Sequence, residues 1–382
     1  MADFRLRIGA EIQLGPDSIL KLPLLLGEKA ERVLLVVDPA LSESRAVARA
    51  RALFEERGLK AIAWEEGGAR ATSARAEECL ALARGSRPKA VIGIGGVRTL
   101  SLARVAAALA NGGRSIDQLM DGAPPDKEGV PFIAVPTSYR DPFLLSELAV
   151  LADARDGSAR LVHAPCARGS AAVLDPNVME GLSPKLAASC VLDALMNAVE
   201  GFVSSRSDFF SDLVLERAAA SLVSALDAII ARPDDPAVRQ DAVQGGLLSA
   251  LGLASSSAGL GTAVAFAINA RFGVPKSSLA AVLLPWTLEN AARGRLEKVA
   301  ALAGAFGGVG SDAPAAERAD AAVEGLRMRL GKLKIPSRLK DFDLQLDRLV
   351  ETAANARALD FVNYLPRLVS TDDVFDFIKA AY

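Results

Sequence analysis

The chain has 382 residues, which is more than one ordinary hydrophobic core holds, so two domains are expected. Hydrophobic residues make up 51% and charged residues 24% of the chain, a globular composition that excludes an intrinsically disordered protein. The 44 basic and 46 acidic residues leave a net charge of −2 without a block of like charge. Neither a nucleic-acid-binding face nor a membrane-surface helix is therefore predicted.

Three features predict a cytoplasmic protein. The opening segment MADFRLRIGAEIQLG contains no apolar run of signal-peptide length. The three cysteines are an odd set without a CxxC pair, which fits a reducing compartment. The longest charge-free stretch, residues 242–270, is rich in Gly, Ser and Ala, so it predicts a buried helix pair rather than a membrane span.

The single histidine, His163, excludes several kinds of catalytic site. A His-rich metal site needs more imidazoles, and the sequence has no HExxH motif, EF-hand loop or cysteine cluster. No GxSxG motif accompanies His163 to suggest a serine hydrolase. His163 stands between two short apolar runs, and we interpret it as a loop or strand-end residue.

The elements follow two patterns along the chain. In the first 170 residues short apolar runs alternate with amphipathic stretches, which predicts parallel βαβ units with right-handed crossovers. Strands are predicted at 32–37, 60–64, 89–94 and 131–135, with helices at 41–57, 74–84 and about 98–111. From about Ser183 onward long helical periodicities predominate. Because Pro176 biases Asp175 away from helix, we place the boundary there, giving an α/β domain at 1–175 with a Rossmann-like parallel sheet and an all-helical domain at 176–382.

Ligands of an open parallel sheet bind at the carboxyl ends of its strands, and three signals lie there. Asp38 directly follows the first predicted strand, where it is suited either to accept a ribose hydroxyl, which favours NAD over NADP, or to cap the next helix. Gly95 and Gly96 stand between a strand and a helix, so they predict either a phosphate-binding turn or a plain tight turn. The polar pair Thr137-Ser138 after the fourth strand is suited to contact a cofactor or to cap.

Taken in order, several segments resemble the iron-containing alcohol dehydrogenase family, whose fold is shared with dehydroquinate synthase and glycerol dehydrogenase. The motifs are VVDPALSES, AVIGIGGVRTLSLARVAA, PFIAVPTSYR, VLDPNVMEGLSPKLAASCVLDALMNAVEGFVS and GLGTAVAFAINARFGVPKSSLAAVLLP. They span nearly the whole chain and keep the family's order, with DALMNAVEGFVS the most specific. The resemblance implies a dehydroquinate synthase-like architecture.

The resemblance also implies that the family's metal site is altered here. In the family one Asp and three His hold a divalent metal. The Asp matches Asp193, and the histidines match Asn197, a position near Val264, and Lys276. One carboxylate and one amide are a poor ligand set for Fe²⁺ or Zn²⁺, and a lysine ammonium would repel a dication. We therefore expect no metal, and an ion pair of Lys276 with Asp193 in its place.

The cofactor-binding motif departs from the family as well. The third glycine of the GGG turn is Val97, the following position is Arg98, and the family's GTGSE segment appears as 140–144, RDPFL. Arg98 is suited to pair with a pyrophosphate, although a solvated or Asp-paired arginine is the more ordinary interpretation. The expected dinucleotide site therefore comprises seven residues: Asp38, Gly95, Gly96, Val97, Arg98, Thr137 and Ser138.

Two functions remain open at the level of sequence. The first is a metal-independent NAD(P)-linked alcohol dehydrogenase or carbonyl reductase, working in the cleft between the domains on a small-molecule carbonyl or alcohol, with Asp193, Asn197 and Lys276 as catalytic residues. The second is a non-catalytic or repurposed relative that serves as a binding or assembly protein. No nucleic acid or membrane partner is expected, a homo-oligomer is allowed, and the substrate and reaction direction are left open.

Overall fold

The computed structural model describes residues 6, 8–26, 31–179, 182–232, 235–307, 309–310 and 312–382. The chain forms two compact units, one of residues 8–181 and one of residues 182–382, with which Leu6 also groups. The first unit is α/β and the second is helical, as the sequence predicts.

The α/β unit is built on a parallel sheet of six strands in the order β1-β8-β5-β4-β2-β3. Strands β6 and β7 form a separate antiparallel pair. The strand bounds are β1 Glu11–Leu14, β2 Arg32–Val37, β3 Lys60–Glu65, β4 Ala90–Gly95, β5 Phe132–Pro136, β6 Leu148–Ala152, β7 Ala159–His163 and β8 Ala171–Leu174. Strands β4, β5 and β8 are buried along their whole length, as in a sheet covered on both faces.

Side-chain caps define where three helices of this unit begin. Ser44, Thr72 and Ser115 each accept a hydrogen bond from a backbone N–H in the first turn of the helix that follows. The bounds are α1 Leu22–Leu25, α2 Arg45–Glu56, α3 Ser73–Ser86, α4 Val97–Leu109 and α5 Ile116–Met120. The four predicted strands correspond to β2–β5, and the three predicted helices to α2–α4. Strands β1, β6, β7 and β8, each of four or five residues, were not among the predicted strands.

The α/β unit extends beyond the predicted boundary at Asp175. The buried Asp175 carboxylate accepts backbone N–H groups of Asp17 and Ile19 at 3.1 Å each, which holds it to the start of the unit. A short 3-10 helix, Pro176–Met179, follows, and Val178 packs into the same core as the sheet. A proline that ends an extended segment therefore does not mark the end of the domain here.

The helical unit comprises nine α-helices in the part of the chain that the structure describes. They are α6 Pro184–Val203, α7 Phe209–Ala231, α8 Pro236–Leu253, α9 Leu260–Phe272, α10 Lys276–Ala301, α11 Ala303–Phe306, α12 Ala315–Leu333, α13 Val350–Ala358 and α14 Thr371–Ala381. The predicted helix pair at 242–270 corresponds to α8 and α9. Helix α6 is the one helix of the described residues that is long and apolar enough to span a membrane, and 89% of its apolar window is buried inside the unit.

Candidate active-site residues

The carboxyl ends of β2, β3, β4 and β5 are held level with one another by hydrogen bonds. The backbone N–H groups of Asp38, Glu66 and Thr137, which follow β2, β3 and β5, each donate at 3.0 Å to a residue near the end of a neighbouring strand. The residue after each strand is therefore fixed at one edge of the sheet. This edge is where an open parallel sheet binds its ligand.

The glycine turn at this edge leads directly into α4. Gly96 occupies the N-cap position, and because it has no side chain the first N–H groups of α4, from Val97 onward, receive no cap from it. A Cβ on Gly95 would lie 2.3 Å from Thr99 Oγ1, whereas one on Gly96 would lie 3.5 Å from Arg140 Nη2 and from Ser138 Oγ. Gly95 is therefore required by packing, while Gly96 leaves the helix N-terminus accessible to an anion.

Asp38 acts as a cap in the structure. Its Oδ1 accepts the backbone N–H of Ala40 at 3.1 Å, at the start of a 3-10 helix that spans Pro39–Leu41. Its Oδ2 lies 3.3 Å from Arg98 Nη2. Of the two interpretations of Asp38, the cap is present, and the contact with a ribose stays a prediction. Arg98 is paired with Asp38, which is the more ordinary interpretation given for this arginine.

Glu66 is a buried acid at the same edge that sequence analysis did not single out. It is 1% exposed, and its Oε1 accepts hydrogen bonds from Arg98 Nε and, at 2.9 Å, from Thr99 Oγ1. Its Oε2 is buried and has no partner among the described residues. Burial raises the pKa of Glu66, against the opposing effect of Arg98. The available signal was an acid at the end of a predicted strand, the feature that singled out Asp38 one strand earlier.

The turn after β5 brings a second arginine to the glycine turn. Thr137 and Ser138 are both largely buried, and Ser138 Oγ accepts a hydrogen bond from Arg140 Nε at 3.1 Å. Arg140 also lies beside Gly96. The RDPFL segment, which stands where the family has GTGSE, thus supplies a cation beside the N-terminus of α4.

A buried ion pair occupies the positions that match the family's metal ligands. Asp193 and Asn197 lie one turn apart on α6, and both are buried. Lys276 is the first residue of α10, and its Nζ contacts Asp193 Oδ1 as the resemblance led us to expect. The ammonium is 5.0 Å from the centroid of the Phe266 ring, close enough for a cation–π contact. The Lys276 and Asp193 side chains are 5% and 0% exposed, so each is the other's principal counter-charge.

Asn197 is tied to the start of α9. Its Oδ1 accepts a hydrogen bond from Thr262 Oγ1 at 3.2 Å. Glu200, one turn further along α6, accepts the backbone N–H groups of Gly259 at 2.9 Å and Thr262 at 3.1 Å. Burial raises the pKa of Glu200, which was not singled out from the sequence although it lies within the DALMNAVEGFVS motif. Glu200 thus fixes α9 against α6 and sets the position of the Asn197 amide.

These side chains do not suit a divalent metal. Val264 is fully buried on α9 and offers no ligand atom. Asp193 provides one carboxylate, Asn197 one amide, and Lys276 a competing positive charge. Among the residues that the structure describes, no group of three or more His, Cys, Asp or Glu side chains is arranged to hold a metal. The ligand atoms at this position are thus one carboxylate and one amide, a set that divalent transition metals disfavour.

The glycine turn lies at the carboxyl edge of an open parallel sheet, where α/β proteins of this architecture bind their ligands. Two family descriptions match the chain: iron-containing alcohol dehydrogenase over residues 10–176, and the C-terminal domain of the Fe-containing alcohol dehydrogenase family over residues 187–382. The chain therefore belongs to the iron-containing alcohol dehydrogenase family.

Similar proteins agree with this assignment over almost their whole length. The chain is 26% identical over 361 residues to long-chain-alcohol dehydrogenase 1 of Geobacillus thermodenitrificans, with 92% of this chain and 90% of the relative covered. It is 22% identical over 354 residues to lactaldehyde reductase of Escherichia coli, with 92% of each covered. The solved structure of NADH-dependent butanol dehydrogenase A from Thermotoga maritima matches with a TM-score of 0.88 at 16% identity, covering 100% of this chain and 99% of that one.

Proposed function

We propose that the chain is a metal-independent, NAD(H)-linked alcohol dehydrogenase or carbonyl reductase that acts on a small-molecule carbonyl or alcohol. The observation that carries the proposal is the contact of Lys276 with Asp193 at positions that match metal ligands of the family. Where the family holds a metal cation, the positive charge in this chain is the Lys276 ammonium. Family membership supports the oxidoreductase class.

The edge of the α/β sheet supports a dinucleotide site. The N-terminus of α4, with Arg140 beside Gly96, fits a pyrophosphate, and Thr137 and Ser138 line the neighbouring turn. The Asp38 carboxylate favours NAD(H), because a like-charged 2′-phosphate would be repelled. The NADH dependence named for the Thermotoga maritima structure agrees with this preference.

In the proposed reaction the protein stabilises charge on the substrate oxygen. When bound, the dinucleotide supplies the hydride that adds to the carbonyl carbon. The electron pair of the C=O double bond then moves to oxygen, and the Lys276 ammonium donates a hydrogen bond to it and, to complete the alcohol, a proton that solvent replaces. In this proposal Asn197, whose amide oxygen accepts a hydrogen bond from Thr262, helps to orient the same substrate oxygen. In the reverse direction Lys276 stabilises the alkoxide.

A second function is favoured by a specific observation. Asp38 and Arg98 pair with each other, and Lys276 and Asp193 do the same, so the charged groups at both sites already have protein partners. A non-catalytic relative that kept the fold and filled its former sites with structural ion pairs would show these contacts.

One titration separates the two functions. Purified protein is titrated with NADH and with NADPH while nicotinamide fluorescence is followed, and reduction of short- and medium-chain aldehydes is then assayed with and without a metal chelator. We expect tighter binding of NADH than of NADPH, and turnover that the chelator does not change. Activity that is lost with chelator and restored by iron or zinc contradicts the metal-independent reaction. A lack of binding to either dinucleotide favours the non-catalytic relative.

A further inference from the structure

Arg98 is held between two carboxylates that differ in burial. Its Nη2 lies 3.3 Å from Asp38 Oδ2, and its Nε donates to Glu66 Oε1. The Arg98 and Asp38 side chains are 30% and 25% exposed, whereas that of Glu66 is 1% exposed. One end of the guanidinium is therefore anchored in the protein, and the other end faces solvent beside Asp38.

The buried anchor does not depend on Asp38. Glu66 Oε1 also accepts a hydrogen bond from Thr99 Oγ1 at 2.9 Å, and the Glu66 backbone N–H donates to Val37 O at 3.0 Å. Glu66 is thus fixed to α4 and to β2 by contacts in which Asp38 has no part. If the Asp38 charge is removed, Arg98 keeps its buried partner, and the exposed end of its guanidinium loses its counter-charge.

Asp38 and Arg98, which are both partly exposed, prefer opposite substituents at the 2′ position of the adenosine ribose. An acid at the end of the second strand of such a sheet accepts the 2′-hydroxyl, whereas an arginine nearby accommodates a 2′-phosphate. A guanidinium presents several donors in one plane, which suits it to phosphate oxygens. We infer that Arg98 is a specificity-determining residue for the 2′ position, masked by Asp38 and positioned by Glu66. This inference rests on the proposed binding of a dinucleotide at this edge.

The test is a set of paired titrations with NADH and NADPH, followed by nicotinamide fluorescence. Asp38→Asn keeps an oxygen that can cap Ala40 while it removes the charge that masks Arg98. We expect the ratio of the NADPH and NADH dissociation constants to shift by about tenfold or more toward NADPH, the range of one charge-assisted hydrogen-bond pair. The double variant Asp38→Asn with Arg98→Met has the net charge of the parent, and we expect it to lose that shift.

Two further variants test the anchor and the effect of net charge. In the Asp38→Asn background, Glu66→Met removes the acceptor for Arg98 and should reduce the shift, while Glu66→Gln retains an acceptor oxygen and should preserve it. Asp17→Asn changes the net charge as Asp38→Asn does, but at the exposed pair with Arg49, 3.1 Å away. We expect the dissociation-constant ratio of Asp17→Asn to equal that of the parent.

The outcomes separate this inference from the proposed function. If the parent binds neither dinucleotide, the proposed function fails and the inference fails with it. If the parent binds NADH but Asp38→Asn changes both dissociation constants by the same factor, the proposed site stands and Arg98 is not a specificity determinant. The inference is also overturned if the double variant Asp38→Asn with Arg98→Met keeps the shifted ratio of dissociation constants. The same holds if Asp17→Asn shifts that ratio as Asp38→Asn does.

Discussion

At the scale of single residues, Lys276 and Asp193 are each other's counter-charge in a buried environment. Lys276→Met would leave the Asp193 carboxylate without that counter-charge, and we expect the free energy of unfolding to fall by about 3–5 kcal/mol, the cost of breaking a buried pair. Adding Asp193→Leu should restore most of the loss, because neither charge of the pair then remains. Urea denaturation of the full chain measures both changes.

The control for this prediction is an exposed pair of the same charge type. Lys379 contacts Asp376 on α14 with side chains 46% and 69% exposed, so Lys379→Met should change the free energy of unfolding by less than about 1 kcal/mol. If Lys276 also serves the reaction, neither Lys276 variant reduces any carbonyl that the parent accepts, even where the double variant is stable. An unchanged stability and activity in Lys276→Met would show that the pair contributes nothing.

Glu66 should make the stability depend on pH. Burial raises the pKa of Glu66 above its ordinary value of 4.5, so between these two pKa values the folded chain binds more protons than the unfolded chain. The stability that the protonated carboxyl contributes is fully present below pH 4.5 and is lost as pH rises through the raised pKa. We therefore expect Glu66→Gln to gain stability relative to the parent as pH increases.

Urea unfolding of both proteins at about pH 5 and about pH 8 measures this difference. Glu65→Gln, at the exposed neighbouring position, is the control for replacing an acid in this segment. The free energy of unfolding of Glu66→Gln, relative to that of the parent, should rise with pH. A relative value that stays constant or falls as pH rises would contradict a raised pKa for Glu66.

At the scale of elements, the start of α4 depends on two glycines in different ways. A Cβ on Gly95 would lie 2.3 Å from Thr99 Oγ1, so Gly95→Ala must displace the first turn of α4 and should lower the free energy of unfolding by about 1–3 kcal/mol. A Cβ on Gly96 would lie 3.5 Å from its nearest neighbours, so Gly96→Ala should fold with near-parental stability.

Dinucleotide binding distinguishes the same two variants by a second measurement. Gly96→Ala places a methyl group in front of the uncapped N-terminus of α4, so it should weaken NADH binding although the fold is intact. Thermal unfolding and fluorescence titration of each variant provide the data. Equal loss of stability in both variants would show that the glycine turn is less rigid than the structure indicates.

At the scale of the whole molecule, we expect no stoichiometric transition metal after purification without chelator. The reason is the ligand set of Asp193, Asn197, Val264 and Lys276, which offers one anionic ligand and one opposing cation. Elemental analysis of the parent and of Asp193→Ala is the measurement. Iron or zinc near one atom per chain, lost in Asp193→Ala, would refute the expectation.

The sequence predicts the parts of the fold that repeat over long stretches. A continuous apolar run such as β2, six residues with five of them buried, and a long apolar helix such as α6 are visible without a structure. The division into an α/β and a helical unit follows from the change, near Ser183, from short apolar runs to long helical periodicities. The strand β7 was not predicted, and its mixed burial shows neither a continuous apolar run nor a strict alternation.

The candidate sites were predictable only where a family motif fixed the positions. Asp193, Asn197 and Lys276 came from the resemblance, and the order of the motifs placed them before any contact was known. Glu66 and Arg140 could not be found in this way, because their importance depends on side chains from other strands and turns that meet at one edge. A single sequence does not show which of several exposed-looking acids becomes buried.

The placement of β1 at the edge of the sheet has a consequence for the newly made polypeptide. Among the described residues, Glu11–Leu14 pairs with one strand, Ala171–Leu174, which is the last strand of the sheet to leave the ribosome. During synthesis β1 therefore stays unpaired while the central strands assemble, because contacts between strands so far apart in sequence form late. An unpaired strand invites association with other chains, and Glu11 and Gln13 give β1 a polar character that discourages it. The polarity of this short segment thus protects the nascent chain for as long as its partner is missing.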